Sequence, residues 1–224
     1  MSLSDMKGSI MARLCSRPRS VDMLMAAGLS MVTTATAQAA PCGGTYTIVV
    51  GGFNDPTSGI FTGNVSQRVG YSAALNSQSA REGVNELNRL IRDQRNLCPG
   101  QHAKAVGFSE GAAVVHIWVT ENWQTFGNVN AVLIADPKRA AGPGASGLAG
   151  QVYSGIVGPP LAGADDFFGN VRTVTICTDD IICDSTAASG WLGYPANHMN
   201  YSFNVDVYSD DGNGQWFNGV FIPR

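Results

Sequence analysis

The sequence predicts an α/β fold in which a central, mostly parallel sheet lies between two covering layers. Short β-rich apolar runs alternate with helical stretches along the chain, and this alternation is typical of parallel strands joined by crossover helices. The chain has 224 residues, of which 44% are hydrophobic, and this is enough for one sizeable core. We therefore expect a single domain of this class.

The first 39 residues are predicted to be a secretory signal peptide, which leaves residues 40–224 as the domain. Arg13, Arg17 and Arg19 precede an apolar run at residues 23–32, and small residues follow it. This order of features is the pattern of a cleaved export signal, although an uncleaved amphipathic anchor is an alternative. The apolar run is too short to span a membrane. We expect a secreted or cell-envelope-associated protein without stable membrane insertion.

Four cysteines follow the predicted signal peptide: Cys42, Cys98, Cys177 and Cys183. An even number of cysteines in an exported protein predicts two disulfides. Three pairings are open, and the short separation of Cys177 and Cys183 favours a local loop, which leaves Cys42 for Cys98. No C-x-x-C pair or neighbouring histidine supplies zinc-ligand spacing, so we expect no metal site.

Patterns along the chain place the individual elements. Strands are predicted at residues 45–50, 102–106, 129–135 and 171–177, and helices at residues 79–93 and 111–123. The first helix is predicted to begin with a capping box formed by Ser79 and Glu82.

Two further segments complete the chain. Residues 137–170, rich in Gly, Pro and Ala, predict a long loop of the kind that often forms a lid or a substrate-facing flap. Residues 203–221 predict a hairpin with its turn at residues 209–214. That acidic turn lacks the spacing of a calcium loop.

The charge of the chain argues against nucleic-acid binding. Its 14 Lys and Arg residues and 17 Asp and Glu residues give a formal net charge of −3. The basic residues are scattered, whereas a nucleic-acid site requires a basic patch.

The strongest chemical signal is a G-x-S-x-G motif made of Gly107, Ser109 and Gly111. It lies between a predicted strand and a predicted helix, where such a motif places a serine hydroxyl on a sharp turn at the edge of the sheet. Backbone N–H groups at the start of the helix would then face an oxyanion formed by attack on an ester. Ser109 is the predicted nucleophile.

A serine nucleophile needs a base, and the three histidines differ in their suitability. His198 lies downstream of Ser109 in a polar segment, in the chain order Ser, Asp, His of this motif class. His102 begins a predicted strand and His116 lies within a predicted helix, so both are interpreted as structural. His198 is the predicted general base.

Asp180 is the predicted orienting carboxylate, because it lies midway between Cys177 and Cys183 and a disulfide would fix its loop. Asp179 and Asp184 are interpreted as solvated loop charges. Asp136, at the end of an earlier strand, is a weaker alternative.

These blocks resemble the cutinase-like serine esterases and their mycobacterial relatives with PE-PPE-type hydrolase domains. The resemblance covers residues 42–201 and includes Cys98-Pro99-Gly100, the nucleophile block, and the Cys177, Asp180, Cys183 and His198 positions. Residues 135–139 look more like the PE-PPE-type relatives. The resemblance implies an α/β-hydrolase fold, a three-layer sandwich, and a hydrolase that needs no cofactor. It also implies a triad of Ser109, Asp180 and His198 and the two disulfides.

The resemblance further implies an oxyanion hole. The backbone N–H of Glu110 would act with a donor from the segment that contains Phe53 and Asn54. Two positions depart from the family pattern, since relatives often have a hydroxyl residue near Asn54 and a neutral glutamine at Glu110. We expect the Glu110 side chain to face solvent at the start of the helix.

The expected activity is hydrolysis of small ester or lipid substrates with short to medium acyl chains. Leu148, Ile156, Val157 and Leu161 would line an acyl pocket, or equally would belong to a packed surface loop. Two other functions stay open: a phage-type lytic esterase acting on a mycolate-linked cell wall, and a catalytically silent binding protein. The binding protein would present Trp191, Trp216 and Phe217 as an exposed face.

Overall fold

A computed structural model describes residues 42–151 and 157–224. The predicted signal peptide and Ile156 lie outside the described residues. Seven strands form one sheet in the order β2-β1-β3-β4-β5-β6-β7. Their bounds are β1 Thr45–Val50, β2 Gln67–Arg68, β3 His102–Phe108, β4 Val129–Ile134, β5 Arg172–Cys177, β6 Gly214–Phe217 and β7 Val220–Pro223.

The sheet is parallel from β2 to β6, and only β7 is antiparallel to its neighbour. The inner strands β3 and β4 are buried along nearly their whole length, as expected for a parallel sheet that is covered on both faces. The four strands predicted from the sequence are present, and their bounds differ by no more than two residues. The α/β class with a mostly parallel sheet is therefore confirmed.

One face of the sheet is covered by two long helices, α1 Ser77–Leu97 and α2 Glu110–Asn122. The apolar side of α1 packs with α2 and the sheet in one core cluster. A second cluster lies on the other face, where residues such as Phe61, Phe203 and Val205 cover the strands. In the described part of the chain this second layer consists of irregular segments and short 3-10 turns. A third helix, α3 Ala188–Gly193, follows β5.

The predicted capping box at Ser79 and Glu82 is wrong. The cap residue of α1 is Asn76, whose side chain accepts a hydrogen bond of 2.9 Å from the Ser79 backbone N–H. Glu82 instead accepts a hydrogen bond from the Ser72 hydroxyl at 2.5 Å. Asn is as good a capping residue as Ser, and a cap at Asn76 lets the helix begin one half-turn earlier.

The C-terminal hairpin exists, but its predicted turn at residues 209–214 is wrong. Residues 205–207 form a 3-10 turn rather than a strand, and the hairpin joins β6 to β7. Its turn consists of Asn218 (φ 48°) and Gly219 (φ 81°). Asn-Gly is the preferred pair for a two-residue hairpin turn with two positive φ angles, so this dipeptide was the better sequence signal.

The predicted long loop after β4 is held at several points. The Lys138 ammonium donates hydrogen bonds to the carbonyls of Pro160 and Gly163 at 3.2 and 2.9 Å. The guanidinium of Arg139 donates to the Cys183 carbonyl at 2.7 Å, and the Leu148 N–H donates to the Ile182 carbonyl at 3.0 Å. These contacts fasten the described parts of this loop to one another and to the segment that follows β5.

Both predicted disulfides are present in the structure. Cys42 is bonded to Cys98, which ties the start of β1 to the end of α1 across a Cα–Cα distance of 5.4 Å. Cys177 is bonded to Cys183 across 5.7 Å and closes the loop after β5. Among the described residues, no helix is both long enough and apolar enough to cross a membrane.

Candidate active site

Ser109 stands on the sharp turn between β3 and α2. Its backbone has φ 56° and ψ −122°, a conformation that non-glycine residues rarely adopt and that marks a strained, functional position. A Cβ atom at Gly107 would overlap the Gly111 carbonyl, and one at Gly111 would overlap the Val50 carbonyl. The two glycines of the motif are therefore needed because the turn packs directly against its own helix and against β1.

His198 reaches Ser109 from the 3-10 turn Asn197–Met199. Its Nε2 atom lies 2.9 Å from the Ser109 hydroxyl oxygen. The imidazole stacks on the ring of Phe108, with 4.7 Å between ring centroids. The His198 side chain is thus held in a single orientation, in which one ring nitrogen faces the serine.

Asp180 lies behind His198 and is only 1% exposed. Its Oδ2 atom accepts hydrogen bonds from His198 Nδ1 at 2.7 Å and from the Tyr201 hydroxyl at 3.0 Å. Its Oδ1 atom accepts the Ile182 N–H at 2.9 Å. The structure thus brings together the three side chains predicted from the sequence, and it adds Tyr201, which the sequence analysis missed.

The neighbouring acids have other surroundings. Asp179 is exposed, as expected, whereas Asp184 is buried, so its interpretation as a solvated charge is wrong. Asp184 accepts hydrogen bonds from the Ala145 N–H at 3.0 Å and the Thr186 hydroxyl at 2.8 Å. It therefore fastens the long loop to the segment after β5.

The candidate oxyanion hole lies where the loop after β1 meets the start of α2. We call residues 51–54 the oxyanion loop. Glu110 is the first residue of α2, and Phe53 lines the cavity at Ser109. The Asn54 N–H already donates to the Ala73 carbonyl at 2.8 Å, which removes this N–H from the candidates. The remaining candidate donors of the oxyanion hole are therefore the backbone N–H groups of Phe53 and Glu110.

A cavity of about 330 Å³ opens beside Ser109 and His198. Its walls are mostly apolar, and the long loop supplies Leu148, Val157 and Leu161 as predicted. The pocket interpretation of these three residues therefore replaces the packed-surface interpretation. The apolar wall consists of Phe53, Leu75, Phe108, Pro137, Leu148, Ala149, Val157, Leu161, Ile182, Tyr194, Pro195 and Met199.

Comparison with known proteins agrees with this geometry. Residues 32–207 match the Cutinase family. The chain belongs to the cutinase family. This membership makes the protein a serine carboxylic-ester hydrolase, the enzyme class that the G-x-S-x-G motif predicted. No curated protein matches the chain.

Three solved structures show different degrees of similarity to this cutinase-family chain. A cutinase-like protein from Cryptococcus sp. is 20% identical, with a TM-score of 0.51 over 76% of this chain and 96% of that one. An acetyl xylan esterase is 15% identical, with a TM-score of 0.48 over 70% and 90%. Lysin B from mycobacteriophage D29 is 19% identical, with a TM-score of 0.35 over 46% and 50%.

The side chain of Glu110 contradicts the sequence expectation. It does not face solvent but is 1% exposed, and neither of its carboxylate oxygens has a hydrogen-bond partner among the described residues. Burial raises the pKa of Glu110 to about 7, although the nearby Ser79 hydroxyl acts in the opposite direction. Helix α1 and the segment before it cover this position. The expectation of an exposed side chain considered only the charge preference of a helix N-terminus and not this packing.

A second histidine of this cutinase-family chain also contacts an aspartate. His116, on α2, donates from Nδ1 to Asp136 at 2.7 Å and from Nε2 to Asp165 at 3.1 Å. Burial lowers the pKa of His116, but the two carboxylates outweigh burial and raise it to about 9. His116 is therefore a buried cation, as its structural interpretation requires. Asp136, the weaker candidate for the orienting carboxylate, is engaged here instead.

Within residues 42–151 and 157–224, no group of three or more His, Cys, Asp or Glu side chains is arranged to hold a metal ion. The chemistry that these residues can perform on their own is nucleophilic attack by a serine assisted by a histidine base.

Proposed function

We propose that the protein is a secreted serine esterase that hydrolyses carboxylic esters with short to medium acyl chains. One observation carries the proposal: two hydrogen bonds join Ser109 to His198 and His198 to Asp180 at the edge of an apolar cavity. A serine hydroxyl becomes an effective nucleophile when a histidine can take its proton and a carboxylate orients that histidine.

Acylation begins when the Ser109 oxygen attacks the ester carbonyl and His198 Nε2 takes the hydroxyl proton. Asp180 stabilises the resulting imidazolium. The N–H groups of Phe53 and Glu110 stabilise the oxyanion of the tetrahedral intermediate. The intermediate then expels the alcohol, which receives its proton from His198, and leaves an acyl group on Ser109.

Deacylation repeats these steps with water as the nucleophile. His198 takes a proton from the water as it attacks the acyl carbonyl, and the same two N–H groups stabilise the second oxyanion. When this intermediate collapses, the Ser109 oxygen leaves with the proton of His198. The carboxylic acid is released and the free enzyme is restored.

The cavity favours an uncharged acyl chain. Among the described residues, the polar groups that line it belong to Ser109, Glu110, Tyr194 and His198, and no lysine or arginine lines it to bind a phosphate. The volume of about 330 Å³ lies at the small end of ligand pockets. A short to medium acyl chain of a small ester or lipid therefore fits better than a long one.

Export forms part of the same proposal. The two disulfides are of the kind found in oxidising compartments, and residues 1–39 carry the signal-peptide pattern. Association with a cell envelope and kinship with PE-PPE-type domains stay predictions from the sequence.

The test is a series of nitrophenyl esters of increasing acyl length, assayed with the wild type and Ser109→Ala. We expect the short and medium esters to be cleaved and Ser109→Ala to retain less than about a thousandth of the rate. Ser209→Ala, which removes a hydroxyl from an exposed loop, is the matched control. Substantial hydrolysis by folded Ser109→Ala, or faster cleavage of casein than of nitrophenyl butyrate, would contradict the proposal.

A further inference from the structure

Glu110 places a carboxyl group inside the protein directly after the nucleophile. The proposed mechanism uses only its backbone N–H. Its side chain is 1% exposed, and the two carboxyl oxygens lack a hydrogen-bond partner among the described residues. An unpaired buried carboxylate is strongly disfavoured, so such a group either finds a partner or takes up a proton.

The surroundings of this carboxyl group also hold the oxyanion loop in place. Tyr71 and Ser79 are polar residues near it, since the charge of Glu110 raises the pKa of Tyr71 and the Ser79 hydroxyl acts to lower the pKa of Glu110. The Tyr71 hydroxyl donates to the Gly51 carbonyl at 2.6 Å, and the Ser79 hydroxyl oxygen accepts the Ala74 N–H at 2.8 Å. The adjacent Ala73 carbonyl accepts the Asn54 N–H. Glu110 therefore lies near the residues that fix both ends of the oxyanion loop.

His198 has a different set of neighbours. It stacks on Phe108, lies beside the tilted ring of Tyr194 and bonds to Asp180. The groups that influence the Glu110 carboxyl are instead Tyr71 and Ser79, which hold the oxyanion loop.

The other titratable groups near Glu110 do not neutralise it. Burial, with the charges of Glu110 and Asp55, raises the pKa of Tyr71 above its usual range, so this phenol stays neutral. The Asp55 carboxylate accepts the N–H groups of Gly59 and Ile60 at 2.7 and 3.2 Å. No ion pair of Glu110 occurs in the described part of the chain.

We propose that Glu110 is a positioning residue that makes the proposed ester hydrolysis dependent on its protonation. While the carboxyl is neutral, the oxyanion loop keeps its hydrogen bonds and faces no charge from Glu110. When the carboxyl ionises, its charge opposes the oxyanion of the tetrahedral intermediate and competes for the Tyr71 hydroxyl that holds Gly51. This inference rests on the proposed function of Ser109 and His198.

The consequence is a loss of activity on the alkaline side of neutrality. Burial raises the pKa of Glu110 to about 7, so the ionised form dominates above that pH. Because the oxyanion exists only in the transition state and the intermediate, kcat should fall while KM stays nearly constant. We expect a loss of about tenfold or more between pH 7 and about pH 9.

The experiment compares kcat and KM for nitrophenyl butyrate across this pH range in the wild type, Glu110→Gln and Glu121→Gln. Glutamine keeps the shape of the side chain and cannot ionise. Glu121 lies at the exposed end of the same helix, paired with Arg81, so its substitution changes the net charge equally. We expect kcat of the wild type and of Glu121→Gln to fall between pH 7 and about pH 9. Over the same range kcat of Glu110→Gln should change by less than about twofold.

An infrared titration makes the test independent of whether Glu110→Gln folds well. The neutral carboxyl gives a carbonyl band in the wild type, and its disappearance should follow the fall in kcat. The proposal is overturned if Glu110→Gln loses activity in parallel with the wild type, or if the band disappears without a change in kcat. A failure of the proposed function looks different, because Ser109→Ala would then equal the wild type at every pH.

Discussion

Two histidine–aspartate pairs lie in this protein, and at first they look alike. His198 and His116 are both buried, and each places its Nδ1 atom 2.7 Å from a buried aspartate oxygen. Each aspartate also accepts, at 2.9 Å, the backbone N–H of the residue two positions later in the chain. Ile182 donates to Asp180, and Lys138 donates to Asp136. The two pairs differ at the other ring nitrogen, where His198 meets the Ser109 hydroxyl and His116 meets the Asp165 carboxylate.

The third partner decides what each histidine can do. Between two carboxylates His116 is held as a cation, and an imidazolium has no lone pair with which to accept a proton. With one carboxylate and one hydroxyl, His198 can act as a neutral acceptor. A buried histidine–aspartate pair is therefore no signature of catalysis until its other neighbour is known. The comparison can be tested by breaking each pair separately.

The largest effect is expected from His198→Ala. Loss of the general base should reduce kcat/KM by about 10⁴-fold, because the Ser109 proton then has no acceptor. The free energy of unfolding should change little. Steady-state kinetics and urea denaturation measure the two quantities, and His102→Ala, which alters a histidine at the start of β3, is the control. If kcat/KM of His198→Ala stayed within tenfold of the wild-type value, the general base would have to be another residue.

The opposite profile is expected from His116→Asn. This change leaves Asp136 and Asp165 without their shared cation, so we expect a loss of about 3 to 5 kcal/mol in the free energy of unfolding. The chemical step should survive within about tenfold, because Ser109 and His198 are untouched. The preferred acyl length should change, since Asp165 lies on the loop that supplies Leu161 to the cavity wall. An unchanged free energy of unfolding would show that the contacts of His116 with Asp136 and Asp165 do not stabilise the fold.

The pH dependence of stability gives a smaller and more specific effect. The folded-state pKa of His116 is raised from 6.5 to about 9, so the native state holds this proton more tightly than the unfolded chain. The stabilisation is complete below pH 6.5 and is lost as the pH rises to about 9, with a total of about 3 kcal/mol. The pKa of Glu110 is also raised, to about 7. The stabilisation that the protonated Glu110 carboxyl gives the native state is therefore already lost when the pH reaches about 9.

The window from about pH 7.5 to 9.5 therefore isolates His116. The free energy of unfolding, measured by urea denaturation across this window, should fall in the wild type and stay nearly constant in His116→Asn. A parallel fall in both proteins would attribute the pH dependence to another group.

The same comparison shows how far the sequence could lead. Ser109, Asp180 and His198 could be proposed from the sequence because a local motif, a pair of cysteines and the chain order each favour one residue. Asp165 was missed because it lies in a loop without periodicity, and only the folded chain brings it to α2. The surroundings of Glu110 were predicted wrongly for a related reason. The charge preference of a helix start is local, whereas the burial of Glu110 depends on α1 and on Tyr71.

Tyr201 offers the finest distinction between the two pairs. Its hydroxyl donates to Asp180 at 3.0 Å and accepts the Thr178 N–H at 3.1 Å. Burial, together with the negative charge of Asp180, raises the pKa of this phenol, so it remains a donor throughout the working range. The hydrogen bonds to the Asp136 carboxylate in the described residues come from His116 and Lys138. A third donor is therefore a feature of the Asp180 pair.

Tyr201→Phe should accordingly have a modest effect on rate. The carboxylate keeps its bonds to His198 and Ile182, so we expect kcat/KM to fall about three- to tenfold and the free energy of unfolding to fall by about 1 kcal/mol. Tyr208→Phe is the matched control, because its hydroxyl donates to the Ser202 carbonyl and does not touch Asp180. Both variants lose one hydroxyl, so a lower rate in Tyr201→Phe alone would show that orienting Asp180 matters beyond stability. Equal rates in the two variants would mean that His198 and the Ile182 N–H hold Asp180 in place without Tyr201.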